Sequence, residues 1–430
     1  MNVKYTPTEA MLMAAMAEMD VIDCHEHLKP EPVRLSKPWD VFVLFSHYTR
    51  HDLFSAGMDR SAFGATTPEQ AIREEYESLY DYSIPLEQRW KKFKPYWERI
   101  KYGTYARSAR LTAQMVYGVD DINDNTYQVL SERIKAENTP GIYRRILCDR
   151  CRIIASLAMC GQTDVDRPLV PVMPIGKVYM PRKREEIEQL ESEFDTPIKS
   201  LDDLLTVGRR QIEKWASEGV PAIKLGIRYN EPPDRQAAEG AFKRLMNGQP
   251  LVFGTQQFEP LENFLRDRFI EMAAEFDMVT CVHTGMMGDF REVSPMHLIS
   301  LATRIPQANF DMFHLGMPMV REAIVIGKNL PNVFLGLTWT YIVSQAQIAS
   351  AVDEMLDQVP VNKINAFGGD YRYVVEKIVG HLYMAKETLA QVFGRRIDRG
   401  LIDFDEAVHI LKLWFWDNPL ALYRRLKVEV

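Results

Sequence analysis

The chain has 430 residues, of which 46% are hydrophobic and 26% charged, a composition typical of folded globular proteins that argues against disorder over most of its length. A chain of this size holds one large domain with insertions or two ordinary ones. The formal net charge is −7, and the sequence has no basic stripe, so we do not expect it to bind nucleic acid.

The N-terminal region and the cysteines both predict a cytoplasmic protein. A short apolar run at residues 10–17 lies between Glu9 and Glu18, which predicts an amphipathic helix rather than a secretory leader. No stretch reaches the ~20 apolar residues that a membrane span needs. Five irregularly spaced cysteines do not predict a disulfide framework, and we interpret the Cys148–Cys151 pair as ordinary thiols, with a zinc or redox site as the alternative.

Eight short apolar runs, rich in β-branched residues, predict strands along the chain. They lie at residues 21–24, 152–159, 169–175, 222–225, 278–282, 310–313, 333–337 and 364–367. Amphipathic stretches that predict helices separate several of them, at residues 202–218, 261–275, 295–305 and 345–358. Because parallel strands need long crossovers, this alternation predicts a parallel α/β fold, and eight units predict a (β/α)₈ TIM barrel. An open doubly wound sheet is the alternative on pattern alone.

The chain is longer than the ~250 residues that a barrel of this type needs. The larger excess lies between the first two predicted strands, at about residues 29–150, and is aromatic and helical. A smaller excess lies at about residues 229–259, with prolines near both ends. Helices predicted at residues 373–393 and 404–416 close the chain. No linker divides it, so we predict a single barrel domain over residues 1–430, with the first insertion lying over the barrel mouth.

Candidate metal ligands follow the predicted strands at their C-terminal ends. His25 and His27 are two residues apart, so on extended backbone their side chains leave the same face. His283 and His314 follow the fifth and sixth predicted strands, and Asp370 follows the eighth after two glycines. Each of these residues alone could belong to the core or to a loop. In a barrel, however, these strand ends converge on one mouth, and imidazole and carboxylate are typical zinc ligands, so the joint pattern predicts a metal centre.

Other polar side chains are candidates to contact a substrate. Lys224 lies inside the fourth predicted strand, where an unpaired amine is costly to bury. Three roles for it stay open: a carboxylated lysine that bridges two metals, a contact to a substrate carboxylate, or a lysine that reaches solvent at the strand tip. Four further candidates lie beyond predicted strands or in the insertion: His47, Arg228, Trp339 and Arg372.

The order H-x-H, Lys, His, His, Asp is similar to that of the amidohydrolase superfamily, over roughly residues 21–430. The segments "CHEHLKP" and "GGDYR" and the long insertion resemble its uronate isomerase branch, whereas "VHTGMMGD", "SPMHL" and "DNPLALYRR" resemble its amidohydrolase-related members. The resemblance implies four metal ligands, which are His25, His27, His283 and Asp370. It implies that His314 is a second-metal ligand or a substrate contact, that Lys224 is carboxylated in two-metal members, and that Asp370 doubles as the general base.

These residues predict a metal-dependent enzyme, and our main prediction is a hydrolase. A bound metal would lower the pKa of its water, and Asp370 would take the proton as the water attacks an amide, lactone or ester carbonyl. The first alternative is a uronate isomerase-like aldose–ketose isomerase of sugar acids, with Arg228 or Arg372 holding the carboxylate. Non-oxidative decarboxylation and a non-catalytic metal-binding role are further alternatives.

The expected cofactor is a divalent metal, as one or two ions, with zinc predicted and manganese as the alternative. The expected partner is a small, carboxylate-bearing substrate, with no nucleic acid and no membrane. A homo-oligomer stays open.

Overall fold

The barrel is formed by eight parallel strands that neighbour one another in chain order. The computed structural model describes residues 4–58, 77–175, 180–227, 231–252, 259–286 and 289–428. In these ranges the strands are β1 Val21–Glu26, β2 Ile153–Ala158, β3 Leu169–Pro174, β4 Ala222–Gly226, β5 Val279–His283, β6 Phe310–Phe313, β7 Val333–Gly336 and β8 Ile364–Asn365. The Cys24 N–H donates to the Phe367 carbonyl at 3.0 Å and so joins the first strand to the segment after the last. The eight strands form a nearly closed barrel. The predicted (β/α)₈ TIM barrel is therefore confirmed, and the open-sheet alternative is wrong.

Helices surround the barrel and fill the long first connection. The described α-helices are Pro7–Ala17, Glu31–Leu35, Thr49–Ser55, Leu86–Ile100, Thr104–Tyr117, Tyr127–Glu137, Arg184–Phe194, Leu201–Ser217, Arg235–Met246, Glu259–Glu275, His297–Arg304, Val320–Asn329, Thr340–Val343, Gln345–Gln358, Lys377–Asp398, Phe404–Lys412 and Asn418–Leu422. Short 3-10 helices are Val41–Phe45, Ser78–Tyr80, His314–Gly316 and Val361–Lys363, and π-helical turns are Arg144–Arg150 and Leu413–Asp417.

Local sequence explains where several helices begin. The helix Leu201–Ser217 starts after Ser200, whose hydroxyl accepts the Asp203 N–H while the Asp203 carboxylate accepts the Ser200 N–H. The same reciprocal capping box starts the helices Pro7–Ala17 and Phe404–Lys412. These caps satisfy N–H groups that have no partner within the helix, so the starts are specified by the sequence itself.

Strands β1 and β8 differ from their predicted bounds. Strand β1 continues past the apolar run to Glu26, so His25 is part of the strand rather than of the following loop. Strand β8 ends early, at Asn365, because the Ala366 N–H donates to the Trp414 carbonyl at 2.9 Å instead of to a neighbouring strand. Contacts distant in sequence set both ends, and hydrophobic periodicity does not report such contacts.

The helices between β1 and β2 are attached to the barrel through buried polar contacts. Arg34 donates to Glu376 at 2.6 Å, and neither side chain is exposed. The Tyr117 hydroxyl donates to the same carboxylate oxygen at 2.8 Å. The helix Arg235–Met246 lies within the smaller predicted insertion. The single-domain assignment and the bounds of both insertions stay predictions.

The C-terminal segment packs against the end of the barrel opposite the mouth. Leu422, Tyr423 and Leu426 lie in one buried cluster with residues of β1 to β6. The Tyr423 hydroxyl donates to Asp311 at 2.6 Å. The Arg425 guanidinium donates to the Val220 carbonyl, just before β4, at 3.1 Å. The segment therefore closes the floor of the barrel with residues of the same chain.

Two further observations bear on the sequence predictions. The five cysteines are free, Cys148 and Cys151 included. Within the described ranges, no helix is both long enough and apolar enough to cross a membrane. The expected cytoplasmic location stays a prediction.

Candidate metal centre

Three predicted ligands meet at the barrel mouth. His25 lies near the end of β1 and His27 just beyond it, and Asp370 lies in the turn that follows β8. His25 Nε2 is 3.1 Å from Asp370 Oδ1, and His27 Nε2 is 3.2 Å from the same oxygen. One ligand atom from each residue lies within 4.8 Å of the others. The His27 side chain is 34% exposed whereas the other two are almost fully buried, so the group opens to solvent on the His27 side.

The unpaired atoms of this group fit a metal ion. Asp370 Oδ2 and both ring nitrogens of His25 are buried and have no hydrogen-bond partner among the described residues. Buried polar atoms are normally paired, so such a concentration needs an explanation. Two imidazoles and one carboxylate that converge on one point form a common donor set for zinc and similar divalent metals.

The protonation states of these groups also suit metal binding. Burial lowers the pKa of His25 well below its usual value, so the ring is neutral at pH 7. Burial opposes ionisation of Asp370, but its contacts with His25, His27 and His47 hold its pKa well below the usual value. Neutral imidazole and ionised carboxylate are the forms that bind a metal.

Left-handed backbone is concentrated at this mouth. Four predicted site residues have a positive φ although none is glycine: His47 at 66°, His314 at 66°, Trp339 at 63° and Asp370 at 59°. Such backbone persists only where the surroundings determine it strongly, and it is enriched at functional sites.

His283 and His314 form a second imidazole pair beside the first. His283 Nδ1 and His314 Nε2 are 3.0 Å apart, and the rings of His25 and His314 lie 6.4 Å apart between centroids. Each ring's other nitrogen is near a carbonyl: His283 Nε2 is 3.0 Å from the Gly285 oxygen, and His314 Nδ1 is 3.1 Å from the Thr338 oxygen.

The tautomers of the two rings decide how the inner nitrogens of this second pair meet. Burial lowers the pKa of His283 to about 3 and that of His314 well below its usual value, so both rings are neutral. If each ring donates its one N–H to its carbonyl, the two inner nitrogens face each other without a proton. A cation between or beside them would resolve that conflict, and outer carbonyls commonly fix the tautomer of metal-binding histidines in this way.

Lys224 lies next to these rings and is buried. It is 7% exposed, and its Nζ lies 5.0 Å from the centre of the Phe313 ring. The same ring packs 4.5 Å from His25 between centroids. Burial lowers the pKa of the Lys224 amine. The side chain does not extend into solvent, so the strand-tip alternative is wrong, and the other two roles stay open.

Of the four predicted substrate contacts, two lie close to the candidate metal centre. His47 Nε2 lies 3.9 Å from Asp370 Oδ2, and the His47 ring lies 5.4 Å from Trp339 between centroids. Trp339 is buried, and its indole N–H donates to the Tyr105 hydroxyl at 2.9 Å. Arg372 is exposed, with its guanidinium 6.0 Å from the Tyr373 ring centre. Arg228 lies outside the described residues.

Two carboxyl groups of β1 were missed in the sequence. Asp23 and Glu26 are fully buried beside the turn that carries Asp370. Burial raises the pKa of Asp23 to about 6 and that of Glu26 well above its usual value. A signal was present, because two acidic residues in and beside a strand predicted to be buried need partners. The sequence could not show which partners those are.

Comparison with known proteins assigns the family. A sequence profile described as "Amidohydrolase" matches residues 206–425, which is just over half of the 430 residues. This protein belongs to the amidohydrolase family. The predicted superfamily resemblance is therefore confirmed, and the metal-binding character of the mouth agrees with it.

Relatives of this amidohydrolase-family protein include uronate isomerases. Those of Thermotoga neapolitana and Thermotoga maritima are 20% and 19% identical, each over 96% of both chains. The crystal structure of the Thermotoga maritima uronate isomerase has a TM-score of 0.77 at 15% identity, covering 97% of this chain and 98% of that one. The glucuronate isomerase of Caulobacter crescentus has a TM-score of 0.76 at 15% identity, covering 98% and 95%. At these identities, the structural likeness shows the fold.

The main functional prediction, a hydrolase, is wrong. The two sequence relatives that match over 96% of both chains, and the two structural neighbours described above, are named isomerases, which favours the first alternative. The error has a chemical cause: the same ligands can activate a water molecule or hold a hydroxy-carbonyl compound. The ligand set therefore identifies the family without choosing the reaction.

Proposed function

We propose that this protein is an aldose–ketose isomerase of sugar acids, similar to the uronate isomerases. One observation carries the proposal: the likeness to those enzymes covers 96% of both chains and is not confined to the barrel. The segment between β1 and β2, which supplies His47, thus falls within the matched length. A family member that shared only the barrel would give no reason to transfer the reaction.

The proposed isomerisation needs a metal site and a base, and residues at the barrel mouth can supply both. In an aldose–ketose isomerisation, one hydrogen moves from C2 to C1 and one proton moves from the C2 hydroxyl to the C1 oxygen. The carbonyl thereby moves from C1 to C2, and no water is consumed. A divalent metal held by His25, His27 and Asp370, which we propose to be zinc, with manganese as the alternative, would polarise the carbonyl and the adjacent hydroxyl. Asp370 Oδ2, which faces His47 Nε2 at 3.9 Å, is the proposed base for the proton transfer.

The remaining predicted residues take supporting roles in this proposal. We assign binding of the substrate carboxylate to Arg372 and Arg228, because a guanidinium can hold a carboxylate by two hydrogen bonds. Trp339 would form a wall of the pocket. His283 and His314 are proposed as ligands of a second ion, and Lys224 as a substrate contact or a carboxylated bridge. The partner is thus a small molecule.

The test is ketose formation from hexuronates. Protein loaded with zinc, or separately with manganese, is incubated with D-glucuronate and D-galacturonate in D₂O and followed by proton NMR. We expect the ketose to appear, and Asp370→Asn to slow it by roughly 10²- to 10⁴-fold, the usual contribution of a general base. Glu354→Gln, which changes a carboxylate paired with Arg321 at the surface, serves as the control and is expected to keep the parental rate. Absence of ketose, or release of CO₂ without it, would overturn the proposal.

A further inference from the structure

The turn that carries Asp370 is attached to β1 through three consecutive N–H groups. The Gly369 N–H donates to Asp23 Oδ1 at 3.1 Å, and the Asp370 N–H donates to the His25 carbonyl at 2.9 Å. The Tyr371 N–H donates to Glu26 Oε2 at 2.5 Å. The bonds on either side of Asp370 are therefore made by side chains of the strand that also presents His25.

Both carboxyl groups are held firmly in place. Asp23 Oδ1 also accepts the His25 N–H at 3.2 Å, and its Oδ2 accepts the Ser156 hydroxyl at 3.0 Å. Glu26 lies directly against Gly369, since a Cβ added to that glycine would be 1.8 Å from Glu26 Oε1. This contact requires a glycine, and the exposed fraction of Glu26 is zero.

The turn needs this support because Asp370 has a left-handed φ of 59°. A non-glycine residue holds such backbone only where neighbouring contacts determine it. The pairing of β1 with β2 is irregular between Asp23 and Glu26, so simple alternation does not place the Glu26 side chain. The carboxyl group of Glu26 is directed to the backbone of the turn, where its Oε2 accepts the Tyr371 N–H.

We propose that Glu26 is a positioning residue for Asp370, and that its carboxyl group, together with that of Asp23, fixes the turn so that the Asp370 carboxylate meets His25 and His27. This inference rests on the proposed metal centre but not on the reaction catalysed there. Partners that orient a metal ligand typically change metal affinity by about 10- to 100-fold when they are removed.

The direct test is to measure the zinc affinity of the full chain by competition with a chromophoric chelator. We expect Glu26→Ala to weaken zinc binding by about 10- to 100-fold. Glu26→Gln keeps an oxygen that can accept the Tyr371 N–H, so its affinity is expected to stay near that of the parent. The absorption spectrum of the cobalt-substituted protein should change in Glu26→Ala and not in Glu26→Gln, because it reports ligand geometry.

Gly369→Ala provides an independent test of the same contact. Alone, its methyl group would collide with Glu26 and displace the turn, so zinc affinity should fall. Combined with Glu26→Ala, the methyl group loses its two closest contacts and its next nearest neighbour is Tyr371 Cδ2, at 3.3 Å, so the double variant should bind zinc no more weakly than Glu26→Ala alone. Such non-additivity is the signature of two groups in contact. Additive losses would overturn the inference. If Glu26→Ala folds poorly, Gly369→Ala alone still tests the contact, because parental zinc affinity in that variant would also overturn the inference.

Glu387→Ala is the matched control. Glu387 is also a buried glutamate, 1% exposed, and it accepts hydrogen bonds from Arg107 and Gln345 in another part of the fold. It should lose stability but keep parental zinc affinity. Equal zinc loss in both variants, parental affinity in Glu26→Ala, or a parent that binds no zinc or cobalt would each overturn the inference. A parent that binds zinc but makes no ketose would refute the proposed reaction and leave this inference standing.

Discussion

Trp339 connects the helical segment before β2 to the candidate metal centre. Its indole N–H donates to Tyr105 at 2.9 Å, and its ring lies 5.4 Å from His47 and 4.8 Å from Tyr371 between centroids. Tyr105 belongs to the helix Thr104–Tyr117, so one hydrogen bond joins that helix to the indole of Trp339.

Tyr105→Phe is expected to destabilise the protein by about 1–3 kcal/mol, because it leaves the buried indole N–H without an acceptor. The midpoint of urea unfolding measures the change. Tyr102→Phe is the matched control: Tyr102 is 84% exposed, so its free energy of unfolding should stay within about 0.5 kcal/mol of the parent. Equal effects of the two substitutions would show that the Trp339 hydrogen bond contributes nothing measurable.

For single residues, the sequence predicts which side chains could bind a metal, but not which hydrogen bonds hold those side chains in position. His25, His27 and Asp370 could be identified because each follows or ends a recognisable strand. Glu26 could not be assigned a role, because its partner Tyr371 lies 345 residues away and hydrophobic periodicity carries no record of such a pairing. The reaction was predicted wrongly because hydrolysis and isomerisation can use the same ligands.

Among the elements, the short helix Glu31–Leu35 depends on one buried ion pair. Arg34 donates to Glu376, just before the helix Lys377–Asp398, at 2.6 Å and to Asn138 at 2.7 Å. Arg34 therefore brings together three parts of the chain.

Arg34→Ala should cost about 3–5 kcal/mol, because it leaves the Glu376 carboxylate buried without its cation. Arg321→Ala is the comparison, since Arg321 is 80% exposed and its bond to Glu354 should contribute at most about 1 kcal/mol. Both values come from urea unfolding followed by circular dichroism. A loss for Arg34→Ala as small as that for Arg321→Ala would contradict the prediction.

Elements are predicted from sequence more completely than the contacts between them. All eight predicted strands are present, and the helix Gln345–Gln358 has its predicted bounds, because its apolar spacing and its Ser344 cap are local signals. Strand β8 is shorter than predicted because Ala366 bonds to Trp414. The attachment of the helix Glu31–Leu35 likewise depends on residues far along the chain.

For the whole molecule, one buried amine links stability to pH. Burial lowers the pKa of Lys377 to about 7, and its amine donates to Thr49 at 3.2 Å. In the unfolded chain a lysine has a pKa of about 10.4. Between these two values the unfolded chain binds more protons than the folded chain, so the contribution of this residue makes stability rise with pH over that window.

Lys377→Met removes this contribution. The variant should be more stable than the parent at pH 7, by roughly 1–4 kcal/mol, as found when buried charged groups are replaced by apolar residues of similar volume. The difference between the free energies of unfolding of variant and parent should become smaller as the pH rises toward about 10.4. At that pH the amine is largely deprotonated in the unfolded chain as well, so folding of the parent no longer requires the loss of a proton. Urea midpoints at several pH values measure it, and a difference that does not change with pH would contradict the assignment.

The first and last strands of the barrel both contribute to the candidate metal centre. Glu26 and Tyr371, which meet there, are 345 residues apart. As the chain leaves the ribosome, His25 and His27 emerge early and lack their carboxylate partner until nearly the whole barrel has been synthesised. A partly made or partly folded chain would offer only two imidazoles and would hold a metal weakly. Bound metal would therefore mark molecules that have finished folding, and the metal content of a preparation would measure how many have done so.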